Sequence, residues 1–158
     1  MALCNGLRVA FAAFPETFKV PLLNALFHLN IKTSSLDAEI MTELILSGKA
    51  AKILEQKAEL ARERNRVFDN YFPDAGKPGT PAAFFRWLPL PRMKTDEIEI
   101  ERQLLLQKVS VYCSYRFTVS YLPCSFMRLA ISSPPDTEQL AKGCSIIRDF
   151  IKQNQKYC

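Results

Sequence analysis

A single arginine, Arg128, interrupts an apolar run that reads as a β-strand: Phe126-Met127-Arg128-Leu129-Ala130-Ile131-Ser132, followed by Pro134 and Pro135 and a terminal helix. Such a strand needs neighbours to pair with and a helix layer to bury its apolar side chains. Its guanidinium must meet an anion or reach water, because an unpaired buried charge costs several kcal/mol. Which anion Arg128 meets is therefore the first functional question that the chain raises.

The chain has 158 residues, enough for one domain with a real core, and its 48% apolar and 23% charged content is that of an ordered globular chain. No apolar run approaches the roughly 18 residues of a membrane span. The N-terminus reads as carrying no secretory signal, since no basic stretch precedes an apolar block. The five cysteines, Cys4, Cys113, Cys124, Cys144 and Cys158, are scattered, and none stands near the single His28. Reduced thiols in a cytoplasmic protein follow, and a zinc site does not. The net charge of +5 permits nucleic-acid contact without arguing for it. Lys57, Arg62, Arg64 and Arg66 interleave with Glu55, Glu59 and Glu63, the pattern of a solvated helix face. No basic patch carries interleaved aromatics, so direct nucleic-acid binding by this domain is not expected.

Apolar spacing supplies the elements. Residues 7–14 read as a buried strand ended by Pro15, and 16–30 as a helix with Pro21 in its first turn. Thr33-Ser34-Ser35 offers caps for a second helix lined by Leu36, Ile40, Met41, Leu44 and Ile45. Ser47-Gly48 breaks it before a long helix over 50–71, with Ile53, Leu54, Leu60, Val67 and Phe68 directed inward. Residues 73–81, with two Gly and three Pro, form a loop. A strand over 83–88, a helix over 96–107 with Thr95 as cap, an alternating strand over 109–113 and the strand carrying Arg128 follow. Asp136 and Gln139 make a capping pair for the last helix, whose buried stripe is Leu140, Cys144, Ile147 and Ile151. The order predicts an α/β (α+β) domain, a small sheet covered by helices on one face.

Four segments in this order resemble the C-terminal, small domain of fold-type-I pyridoxal-phosphate-dependent aminotransferases, and in particular the aminotransferase-like half of MocR-type, GntR-like transcription regulators. Gly6-Leu7-Arg8-Val9-Ala10 with Phe14-Pro15-Glu16 is similar to the strand after the cofactor lysine. Thr33-Ser34-Ser35-Leu36 with Ser47-Gly48 resembles a helix start and its glycine break. Phe85-Arg86-Trp87-Leu88-Pro89-Leu90-Pro91 resembles the first small-domain strand, and Met127-Arg128-Leu129-Ala130-Ile131-Ser132 the carboxylate-binding strand.

The resemblance implies a single domain over 1–158, in which 1–32 is a strand and helix bordering a missing large domain and 33–158 is the small domain. It gives Arg128 the role of gripping a substrate α-carboxylate in a two-pronged pair, for which a planar guanidinium is suited and lysine is not. A strand arginine can also pair with a nearby carboxylate or reach solvent, and the sequence leaves both readings open. By the same resemblance, Arg8 helps to hold the cofactor phosphate. In the relatives the Schiff-base lysine lies seven residues before that arginine, a position that here is Met1. Lys19, Lys32 and Lys49 do not stand in the matching place. No turnover is expected from this chain alone, and no bound pyridoxal phosphate. After the strand over 109–113, Cys113-Ser114 replaces the family's Pro-Gly turn, and Lys108 stands where the family has glycine.

Other constellations read as structural. Cys124-Ser125 has no base to activate a nucleophile, His28 edges a helix core, and Phe85 and Trp87 read as core packing on either side of Arg86. Glu97, Glu99 and Glu101 are expected to fan around their helix without converging. Three readings remain: the C-terminal domain of an aminotransferase-like protein, binding an amino-acid carboxylate in its parent; a non-catalytic effector-binding or dimerisation module of a MocR-type regulator; and an unrelated small α/β domain. The first two imply an organic-acid ligand, and a homodimer or a large domain to cover an exposed apolar face.

Overall fold

A computed structural model describes residues 9–29, 34–119 and 125–156. The chain divides into two compact units, Met1–Lys57 and Ala58–Cys158.

In the first unit, residues 9–15 carry no regular structure, so the strand expected over 7–14 is absent from its described part. A strand persists only where a partner takes up its backbone groups, and the sheet among the described residues consists of three later segments. A 3-10 turn at Glu16–Phe18 leads into α1 (Lys19–Leu29), with Pro21 in the first turn, where its missing N–H costs nothing. Ser34 caps α2 (Ser35–Leu46) by accepting a hydrogen bond from the Asp37 amide. Gly48 ends that helix in the left-handed region, φ 73°. The long α3 (Lys49–Tyr71) begins immediately and runs on into the second unit. Neither α1 nor α2 buries a residue, and the apolar stripe through Leu36, Ile40 and Ile45 is exposed.

The second unit is the α+β domain that the sequence predicts. Its elements are the rest of α3, β1 (Arg86–Pro89), α4 (Glu97–Leu106), β2 (Tyr112–Cys113), a 3-10 turn at Ser114–Arg116, β3 (Phe126–Leu129) and α5 (Thr137–Asn154). The strands form an antiparallel sheet in the order β1-β3-β2. They are shorter than the apolar runs suggest, because only the paired residues qualify. The register sets Trp87 opposite Arg128, and Arg128 opposite Tyr112. Side chains alternate across a sheet, so these three share a face, while Arg86, Leu88, Cys113, Met127 and Leu129 take the other.

That second face is the core. Leu88, Met127 and Leu129 bury against Phe68 of α3 and Phe72 just beyond it, Ile100 and Leu104 of α4, and Leu140, Ile147 and Phe150 of α5. Helix ends follow the capping rules. Asp96, not Thr95, caps α4 by accepting from the Glu99 amide at 2.8 Å, and Asp136 caps α5 by accepting from the Gln139 amide at 2.7 Å. At the end of α4 the chain turns through Lys108 at φ 64°, and the Val109 amide donates back to the Leu104 carbonyl at 3.0 Å. This closure is the one that glycine serves best.

Candidate functional site

Two arginines of the sheet have opposite surroundings. Arg86 points into the core and is 2% exposed. It donates to Asn65 Oδ1 (3.0 Å), Asp69 Oδ1 (2.7 Å) and the Gly76 carbonyl (2.7 Å), and its guanidinium lies 4.3 Å from the Phe68 ring centre. Its charge is met by Asp69 and both terminal nitrogens donate, so it ties β1 to α3 and to the loop after it. The consequence corrects an expectation. Since Arg86 takes the inner face, Phe85 and Trp87 are on the outer one, with Trp87 46% exposed.

Arg128 lies on that outer face, half-buried. Its guanidinium sits 4.4 Å from the ring centre of Phe117, 4.8 Å from Phe85 and 5.8 Å from Tyr112. Trp87 extends the ring cluster edge-to-face, 5.4 Å from Phe117 and 4.7 Å from Phe126. Cation–π contacts hold the guanidinium in place, but they satisfy none of its N–H donors. Among the described residues, Arg128 has neither a hydrogen bond nor an ion pair. The face thus presents five in-plane donors within an aromatic frame, a geometry suited to a planar anion.

The turn that brings Tyr112 and Phe117 to Arg128 is held by carboxylates. Glu97 accepts from the Ser114 hydroxyl and, at 2.8 Å, from the Tyr115 amide. Glu101 accepts from the Cys113 amide (2.7 Å), the Tyr115 hydroxyl (3.0 Å) and the Arg116 guanidinium (2.7 Å). Burial alone lifts the Glu101 carboxyl, but the bonds from Arg116, Cys113 and Tyr115 outweigh it and hold the pKa below its ordinary 4.5. The three glutamates of α4 do not simply fan. Glu97 and Glu101, four residues apart, share a face, and Glu99 turns away to Arg102 and Gln103. Arg116 lies 5.2 Å from the Tyr112 ring centre, so Tyr112 stands between a neutralised guanidinium and an unneutralised one. Cys113 and Ser114 are thus fixed by the two carboxylates of α4.

Arg8 lies outside the described residues, as do Cys4, Cys124 and Cys158. Arg64, expected on a solvated face, is buried and donates to the Ile131 and Pro135 carbonyls at 3.3 and 3.1 Å. It falls on the α3 stripe of Ala61, Asn65 and Phe68, whereas Leu60 is exposed. Burial raises the thiol pKa of Cys113 to about 12 and that of Cys144 to about 11, as suits inert core residues. Among the described residues no group of acidic, His and Cys side chains is arranged to hold a metal. No described helix is long and apolar enough to cross a membrane.

With this geometry in view, one relative is informative. Over 151 residues, 95% of the chain, the sequence is 33% identical to YdeF of Bacillus subtilis (strain 168), described as an uncharacterized HTH-type transcriptional regulator. The chain is similar to part of a regulator. It spans about a third of that protein's length, 32%. No family model matches the chain, and no solved structure does.

Proposed function

We propose that this chain is the effector-binding part of an HTH-type transcription regulator, and that its ligand is a small organic carboxylate held by Arg128. The observation that carries this is the half-buried Arg128, framed by Phe85, Tyr112 and Phe117 and without an acceptor among the described residues. The similarity to YdeF supports the regulator half of the reading. The resemblance of the Arg128 strand to the carboxylate-binding strand of aminotransferase small domains supports the ligand half, and makes an amino acid or a related acid the first class to try. In a parent protein, a large domain or a second subunit covers the exposed apolar stripes of α1 and α2.

Trp87 is the single tryptophan and pairs with Arg128 across β1 and β3, so it reports on this face. Titration of the chain with amino acids and short organic acids should give a saturable change in Trp87 fluorescence. Arg128→Gln should weaken that binding by at least about tenfold, as loss of a charge-assisted bidentate pair demands. A panel with no responding acid, or an Arg128→Gln variant of unchanged affinity, contradicts the proposal.

A further inference from the structure

The rings around Arg128 carry information about the rest of the ligand. We infer that the body attached to the carboxylate is aromatic, so that this face takes an aryl carboxylate in preference to aliphatic acids and diacids. The inference rests on the carboxylate reading of Arg128 and adds the ligand's second half.

Three observations support it. First, a carboxylate seated on Arg128 places its attached group among Phe85, Trp87, Tyr112 and Phe117, all exposed and all on the outer side of the sheet. Rings fixed by edge-to-face packing, Trp87 on Phe117 and on Phe126, offer further ring edges and faces to an incoming aryl group at little cost in side-chain freedom. Second, a diacid lacks a second cation. The nearby guanidinium, Arg116, is already bonded to both oxygens of Glu101, so its charge is spent within the fold. Third, a polar ligand body would lose water against rings that return no hydrogen bonds. The hydroxyl of Tyr112 is the exception that its ring carries.

Calorimetric titration of the full chain with 3-phenylpropanoate, butanoate, glutarate and 3-phenylpropanol separates these terms. The aryl acid should bind at least about tenfold more tightly than butanoate or glutarate, a difference within the range of aromatic contacts. Phe117→Leu, and independently Phe85→Leu, should lower the affinity for the aryl acid by a larger factor than that for butanoate, and so shrink that ratio. Either variant suffices if the other fails to fold. Equal affinities for the three acids overturn the aryl preference and leave the carboxylate reading standing. Binding of phenylpropanol as tight as that of the acid overturns the carboxylate reading itself, and a chain that binds none of the four overturns both.

Discussion

Arg86 and Arg128 project from opposite faces of the same antiparallel ladder, Arg86 paired with Leu129 and Arg128 with Trp87. The inner one has acceptors for both terminal nitrogens, and the outer one has rings but no acceptor among the described residues. The two positions should therefore respond differently to the same substitution. Arg86→Ala removes a buried charge, strands Asn65 and the Gly76 carbonyl, and should cost about 3 kcal/mol. Arg128→Ala forfeits only cation–π contacts at a half-exposed site and should cost about 1 kcal/mol or less. Urea midpoints of the two variants check this, and equal losses would refute the division of roles.

Lys108 holds a left-handed backbone, φ 64°, at the end of α4. Glycine there avoids a penalty of about 1 kcal/mol. Lys108→Gly should therefore raise the urea midpoint. An unchanged or lower midpoint would show that the closure onto Leu104 is not strained.

Acid should loosen the turn that frames Arg128. The Glu101 carboxyl is held below its ordinary 4.5 in the folded chain. The stabilisation is complete above the unfolded value and is lost as pH falls from about 4.5 through the folded value. Glu101→Gln should cost about 1 kcal/mol near neutrality and flatten the acid limb of the stability profile below pH 4.5. Parallel acid limbs in the two proteins contradict the assignment.

Cys113 and Cys144 are buried with raised thiol pKa values, about 12 and about 11. Neither should react with iodoacetamide at pH 8 until the chain unfolds. Peptide mapping after labelling in buffer and in denaturant tests this, and rapid native labelling of either residue speaks against the core described above.

Much of the second unit was legible in its sequence. Asp136 with Gln139 and the stripe Leu140, Cys144 and Ile147 fold as their spacing predicts, because capping and burial there act locally, and the strand of Arg128 forms but ends at Leu129, short of the expected Ser132. The failures have one physical origin. Period-two alternation in Phe85-Arg86-Trp87 is equally satisfied by either face, and bulk argued for burying the rings. The choice is made by Asn65 and Asp69, some twenty residues away, which supply acceptors that only an inward Arg86 can use. Likewise Arg64 is drawn inward by the Ile131 and Pro135 carbonyls, partners that no helical periodicity reveals. The frame of Arg128 was half visible. Tyr112 follows from strand pairing once β2 and β3 are neighbours, whereas Phe117 reaches Arg128 through the 3-10 turn after β2, which the sequence does not announce. The convergence of Glu97 and Glu101 was readable from their four-residue spacing alone.

The central claim is that the N–H donors of Arg128 await an organic acid. Nitrogen NMR of the arginine side chains reads those donors directly. On addition of the tightest-binding carboxylate, the Arg128 Nε–H resonance should shift and its proton exchange should slow, while the Arg86 and Arg116 resonances, whose acceptors lie within the fold, stay in place. An Arg128 resonance unmoved at saturating acid would contradict the account.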